Sequence, residues 1–132
     1  MASAIDTAQL AILAQFRTEW GTTTKIAWPN KGFTPPDDEP WVELDILWGD
    51  GFLETMNGRN RLYGIIQISV YGLRGEGRGA LIGHCDTARD VFNRWDGSGV
   101  RCGAASAPKP VPDDEWDRAV ISVPFEYEEV VT

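Results

Sequence analysis

A single histidine, His84, and only two cysteines, Cys85 and Cys102, stand in a chain of 132 residues. That scarcity leaves little room for a transition-metal site, because such ions are held by His and Cys clustered at short spacing, and no such cluster occurs. At helical spacing His84 meets Ala80, Leu81, Thr87 and Ala88, none of which offers the carboxylate that an acid–base histidine uses. A solvent-facing or edge position is its expected role. The Gly-x-Ser-x-Gly elbow of hydrolases is also missing.

Positive charge is in short supply as well. Twelve Lys and Arg face twenty Asp and Glu, giving a net charge of −8. A protein that grips nucleic acid does so by neutralising phosphates, so that class is not expected, whereas a surface that lets DNA pass without sticking is compatible. No run approaches the roughly 20 apolar residues of a membrane span. The opening residues, Met1 to Phe16, carry no basic start and place Asp6, Gln9 and Gln15 inside their apolar pattern, unlike a signal peptide. Cys85 and Cys102 are therefore expected as free thiols, and the expected folding compartment is a cytoplasm.

What is present reads as one folded domain: 42% hydrophobic and 24% charged residues suit a packed core of ordinary size. Six Trp are unusual, and some of them are expected at an interface, where Trp supplies large contact area at low entropic cost. Arg61 to Tyr71 alternates, with Leu62, Gly64, Ile66, Ile68 and Val70 on one face, and predicts the central strand. A glycine-rich turn, Gly72 to Gly79, follows. Leu81, Ile82, Cys85, Ala88, Phe92 and Trp95 then recur at spacings of three and four and predict a helix lying back on the sheet.

The first helix is expected from a cap at Ser3 to Trp20, with Gly21 ending it. Its inner side collects Ile5, Ala8, Ile12, Leu13, Phe16 and Trp20, leaving Gln9, Gln15, Arg17 and Glu19 outside. Lys25 to Trp28 is a short extended piece before Pro29. Trp41 to Trp48 alternates as a half-buried strand, Gly49-Asp50-Gly51 reads as a turn, Phe52 to Met56 as a continuing strand, and Asn57-Gly58 as a hairpin turn. Asp96-Gly97-Ser98-Gly99 stops the second helix. Val100 to Pro112, rich in Gly, Ala and Pro, holds one short edge strand at most. Trp116 to Tyr127 is the last long strand, with Pro124 pointing its missing donor away from the ladder or marking an edge. The expected fold class is α+β: a mostly antiparallel sheet of about four to five strands with two helices packed on it.

Gly75-Glu76-Gly77-Arg78-Gly79-Ala80 formally matches the dinucleotide fingerprint between a strand and a helix. That fold needs a parallel strand next, with an acidic residue about 20 positions on. Here the next stretch is broken by Gly and Pro, so a plain tight turn is expected. Two acidic runs, Asp37-Asp38-Glu39 and Asp113-Asp114-Glu115, each stand before a strand that opens with Trp. Such runs serve as solvated loops, as a seat for a hard cation, or as contacts to a neighbouring subunit. Arg59 and Arg61 start the central strand and Arg74 and Arg78 follow its end, about 33 Å apart at 3.3 Å per residue. Between copies in a ring, each basic end could meet an acidic loop. These ten residues are the candidate interface.

Several stretches together resemble the phage tail-terminator-like family. They are the first helix ending in Trp20, Ile26-Ala27-Trp28-Pro29-Asn30 with Phe33 and Pro35 behind it, and Trp41-Val42-Glu43-Leu44. The remaining landmarks are Arg61 through the glycine turn, the Ala80 to Phe92 helix, and Trp116 with Ile121 to Tyr127. The resemblance spans nearly the whole chain, and Trp28-Pro29-Asn30 is its most distinctive cluster. It implies a structural virion protein of long-tailed phages, with no enzymatic activity and no cofactor. Such proteins form a homo-oligomeric ring, typically a hexamer, that caps the tail tube, ends its growth and offers the head its docking surface. The implied partners are other copies, the tail tube protein and the head–tail connector protein, with DNA passing through unbound and no membrane involved. The implied location is the head-proximal end of the tail, after assembly in the host cytoplasm. Exposed strand edges, some Trp side chains and a mobile arm from Gly49 to Asn60 are the expected contacts. Two alternatives stay open: another head–tail connector or tail completion protein, and a small metal- or ligand-binding domain built on an acidic loop.

Overall fold

The computed structural model describes residues 4–29, 31–53, 59–75 and 78–130. The first helix, α1 (Ala4–Trp20), buries the row Ala8, Ile12, Phe16 and Trp20, each four positions after the last. That spacing keeps one face inward. Phe16 stacks on Trp20 with centroids 5.4 Å apart, and Gly21 ends the helix at φ 58°, donating to the Arg17 carbonyl at 3.1 Å. A left-handed residue just past a helix is where glycine is favoured. The helix is rotated slightly from its expected setting. Ile5 is 43% exposed, whereas Gln9 accepts the Trp48 indole N–H at 3.0 Å and Gln15 donates to the Val91 carbonyl at 3.0 Å. Both glutamines thus join elements instead of facing water. The expected cap at Ser3 lies outside the described residues.

The sheet contains β1 (Lys25–Ala27), β2 (Trp41–Leu53) and β3 (Arg59–Leu73), then, after α2 (Arg78–Phe92), β4 (Asp96–Gly97), β5 (Val100–Cys102), β6 (Lys109–Val111) and β7 (Trp116–Val130). It is a seven-stranded sheet in the order β1-β2-β3-β7-β5-β4, with β6 also beside β7. The α+β class stands, and the finer expectation is corrected. Among the described residues there are seven strands instead of four to five, and the sheet is mixed, because β1 runs parallel to β2. Strands of two or three residues are too short to show a period, and alternation carries no information about direction. The long strands fall where the alternation placed them. In the centre, β3 pairs antiparallel with β2 and with β7.

Gly49-Asp50-Gly51 is not a turn. The register passes from Trp48↔Gly64 to Gly51↔Leu62, so two residues of β2 oppose one of β3, a bulge that bends the strand without ending it. The expected arm from Gly49 to Asn60 is accordingly strand at both its ends, and the Asn57-Gly58 turn lies outside the described residues. Behind α2, Ser98 (φ 52°) and Gly99 (φ 86°) form the two-residue link of the β4–β5 hairpin, with the positive φ values that such tight links require.

Both helices cover one face of the sheet. Val42 and Leu44 from β2, Ile66, Ile68 and Val70 from β3, and Ala119, Ile121 and Val123 from β7 form one core with the inner sides of α1 and α2. Cys85 and Cys102 are free and buried there, and burial pushes their thiols up to about 11 and about 12.

Candidate assembly surfaces

Among the described residues no helix lies over the second face of the sheet, and its character changes along its length. At one end the strand starts of β2 and β7 and the end of β3 gather an aromatic cluster. Trp41 stacks on Tyr71 at 3.9 Å and 3°, Phe33 leans on Trp41 at 5.0 Å, and Trp116 meets Trp41 edge-on at 6.0 Å. Arg118, two residues into β7, lies over the Tyr71 ring at 5.4 Å and donates from Nη2 to Ser69 Oγ at 3.2 Å. Its Nε is buried and has no hydrogen-bond partner. The Tyr71 hydroxyl donates to Glu43 at 3.4 Å, and burial first, then the Glu43 charge, raises its pKa.

Both acidic runs and one of the arginines sit at this same end. Asp37 and Asp38 are exposed, and Glu39 pairs with Lys25 of β1 at 2.9 Å; that bond and the Glu39 charge raise the Lys25 pKa. Asp113 turns its carboxylate inward, its Oδ1 accepting the main-chain N–H groups of Glu115 and Trp116 at 3.0 Å. Asp114 and Glu115 remain exposed. Arg74 Nη2 donates to the Asp113 carbonyl at 2.6 Å, so one arginine of the candidate set meets one acidic loop within the same chain. Two of the remaining arginines, Arg59 and Arg61, belong to the other end. Arg61 lies at the far end of β3, 3.5 Å from Glu126, which also takes Arg101 at 3.7 Å. Arg59 starts β3 and Arg78 starts α2, and their side chains lie outside the described residues.

Farther along the open face, Leu47 of β2, Ile65 of β3 and Pro124 of β7 stand side by side in register. Leu47 is 47% and Ile65 42% exposed. Together they form a short apolar row on the face opposite the helices.

Two stretches of strand edge are blunted. The Ile46 N–H is taken by the Asp45 carboxylate at 2.9 Å, on the part of β2 that extends beyond its pairing with β1. On the other side, Ser122 turns its N–H and C=O toward Ser106. By alternation, residues 118 and 120 turn theirs to Val111 and Lys109 of β6, and Pro110 between those two faces outward. A carboxylate over a free donor and a proline on the outer edge are both devices against strand addition. The tryptophans are engaged internally as well. Trp20 and Trp41 are buried, while Trp28, Trp48, Trp95 and Trp116 pack against the two clusters.

The nucleotide-turn pattern leads to no such site, since both neighbours of β3 are antiparallel to it, whereas a dinucleotide fold places a parallel strand there. His84 is half-buried with its ring 6.2 Å from Trp20. Among the described residues no group of three or more His, Cys, Asp or Glu is placed to hold a metal ion, and no helix is long and apolar enough to cross a membrane.

Sequence reasoning missed Arg118. Its signal was its place two residues after Trp116, which puts both on the open face of a strand whose other face is core.

No family model matches the chain, and no curated protein matches it. A solved structure superposes with a TM-score of 0.66 at 19% identity, over 94% of this chain and 98% of its own. At that identity the likeness shows a shared fold, over essentially the full length of both chains.

Proposed function

We propose that this chain is a tail terminator of a long-tailed phage, a structural protein that acts by closing into a ring on the end of the tail tube. The observation that carries the reading is the open sheet face, with Leu47, Ile65 and Pro124 in a row across β2, β3 and β7. One layer of helices covers the other face, which leaves this apolar row available to another protein. Side chains that carried the resemblance also come together. Phe33, Trp41 and Trp116 are distant in sequence and meet around Tyr71 at one end of the sheet. The acidic balance of the chain fits a conduit whose lumen repels phosphates.

In this reading one ring face is complementary to the tube end, and the other lacks what a further tube ring would need. Growth stops there, and the outer face receives the connector. Native mass spectrometry of the purified protein, free and with tail tubes, followed by negative-stain imaging, tests it. The expected result is a closed ring, or a cap at one tube end only. A protein that stays monomeric and never associates with tubes would remove the reading.

A further inference from the structure

Residues 103–115, between β5 and β7, run along the outer side of β7 and are held there by polar contacts more than by packing. Ala105 is the buried residue among them, so the segment adds little to the core. Its start is clasped from α2. Arg89 donates from Nε and Nη2 to the Ser106 and Ala105 carbonyls at 2.9 and 3.2 Å, and Asn93 Oδ1 accepts the Ala105 N–H at 2.9 Å. Its far end is held by Arg74 at the Asp113 carbonyl. Between these points the short strand β6 and the bonds between Ser106 and Ser122 make the contact with β7.

Beneath the segment lies the flank of a long strand. One side of β7 pairs with β3 over its full length. On the other side, residues 118, 120 and 122 turn their N–H and C=O groups to the segment. Uncovered, that stretch is an unpaired edge, the template onto which another strand adds. It is also self-complementary. Two copies of β7 paired antiparallel about Val120 set Val120 against Val120 and Arg118 against Ser122, so no like charges stand directly opposite there. Such a pairing is isologous, with each copy using the same patch about a two-fold axis. The segment offers no equivalent edge of its own, because Pro110, in the middle of β6, faces outward without a donor.

We infer that residues 103–115 are a strap that closes the outer edge of β7, that Arg89 is its buckle, and that the edge beneath is a latent pairing site for β7 of a second copy. The planar guanidinium suits the task, since its fixed fork takes two successive carbonyls at once. With the strap closed, the sheet stops at a strand that cannot be extended. With the clasp released, residues 118, 120 and 122 are free to pair across the two-fold axis. The strap does not depend on the ring reading, because it concerns a contact that the closed chain prevents.

Amide hydrogen exchange followed by NMR over a range of protein concentrations tests it. In the wild-type chain the amides of Arg118, Val120 and Ser122 are expected to be protected at every concentration. In Arg89→Ala they are expected to exchange about tenfold faster or more in dilute solution. Their protection is expected to return as concentration rises, together with a dimer in sedimentation. The amides of Ala119 and Ile121, which face β3, are expected to stay protected throughout, which separates an open strap from a lost sheet. Wild-type protection in the variant would show that Arg89 does not hold the strap. Fast exchange that is independent of concentration would show that the edge accepts no second copy. Either result overturns the inference, as would the same concentration dependence in Gly64→Ala, which loosens the sheet away from the strap. If Arg89→Ala fails to fold by circular dichroism, Asn93→Ala, at an exposed residue that holds the same end, is read in the same way.

Discussion

Ser106 satisfies the main chain of Ser122 twice: its Oγ accepts the Ser122 N–H at 2.9 Å and its N–H donates to the Ser122 carbonyl at 2.9 Å. This bridge fills the interval between β5, which pairs with residues 125–127 of β7, and β6, which pairs with residues 118–120. Within the same interval, the Pro124 carbonyl accepts the Gly103 N–H at 2.8 Å. The N and O of a strand residue point to one side, so the donor that proline lacks faces this break and no ladder bond with β3 is lost. Arg89 holds the bridging segment from α2 through the Ser106 and Ala105 carbonyls at 2.9 and 3.2 Å.

Ser106→Ala is therefore expected to act on β7 through its main chain. It leaves the Ser122 N–H without its acceptor, at a cost of roughly 1–2 kcal/mol. Urea denaturation followed by Trp fluorescence measures this. Hydrogen exchange is expected to accelerate at Ser122 while the amides that β7 shares with β3 stay protected.

Gly64 tests the packing beneath the bulge. A Cβ there would stand 2.6 Å from Phe125 Cζ and 2.8 Å from the Leu47 carbonyl. Backbone lies on one side and a ring of the core on the other, so neither yields cheaply. Gly64→Ala is expected to destabilise the fold by about 1–3 kcal/mol, visible as a lower thermal midpoint. Gly83→Ala on the exposed side of α2, where nothing lies within 4 Å, is expected to be neutral or stabilising.

The two thiols predict a pH dependence. Both lie in the core, and burial pushes them up to about 11 and about 12 from 9.0. A folded-state pKa above the unfolded one means that the folded chain holds the proton longer. This contribution to stability is intact below pH 9.0 and declines as pH rises toward those values. Near neutral pH a thiol-specific reagent is expected to label neither cysteine in the native protein and both in denaturant. Rapid native labelling would contradict the burial of both side chains.

Alternation and helical spacing disclosed the long elements because each of those strands or helices repeats its pattern several times. They could not disclose β4, β5 and β6, whose two or three residues contain no full repeat, and β1 was legible only as the extended piece before Pro29. Gly49-Asp50-Gly51 carried a turn signature that the neighbouring pairing overrode as a bulge. The candidate site was legible only as chemistry. The acidic runs and Arg74 were visible as charges, but their positions on flanks depend on strand order, which a linear pattern does not encode. Arg118 was hidden inside an alternating strand, and Arg61 was spent on Glu126 across a ladder that only the register reveals.

The open face makes the last prediction, and it is independent of the charged flanks. Leu47 and Ile65 are direct cross-strand partners, and each leaves more than a third of its surface in water. Replacing both with lysine sets like charges directly opposite each other, so the monomer is expected to lose about 1 kcal/mol and still fold. Their value lies in being covered, since fully burying such a side chain contributes roughly 1.5–3 kcal/mol. If this face contacts the tube end or a neighbouring subunit, the Leu47→Lys, Ile65→Lys chain should fold normally by circular dichroism and fail to cap tubes under the electron microscope. Caps that form at wild-type frequency would show that the row faces solvent in the assembly, and would shift the search for the tube contact to the helix layer, where Leu10 is 57% exposed.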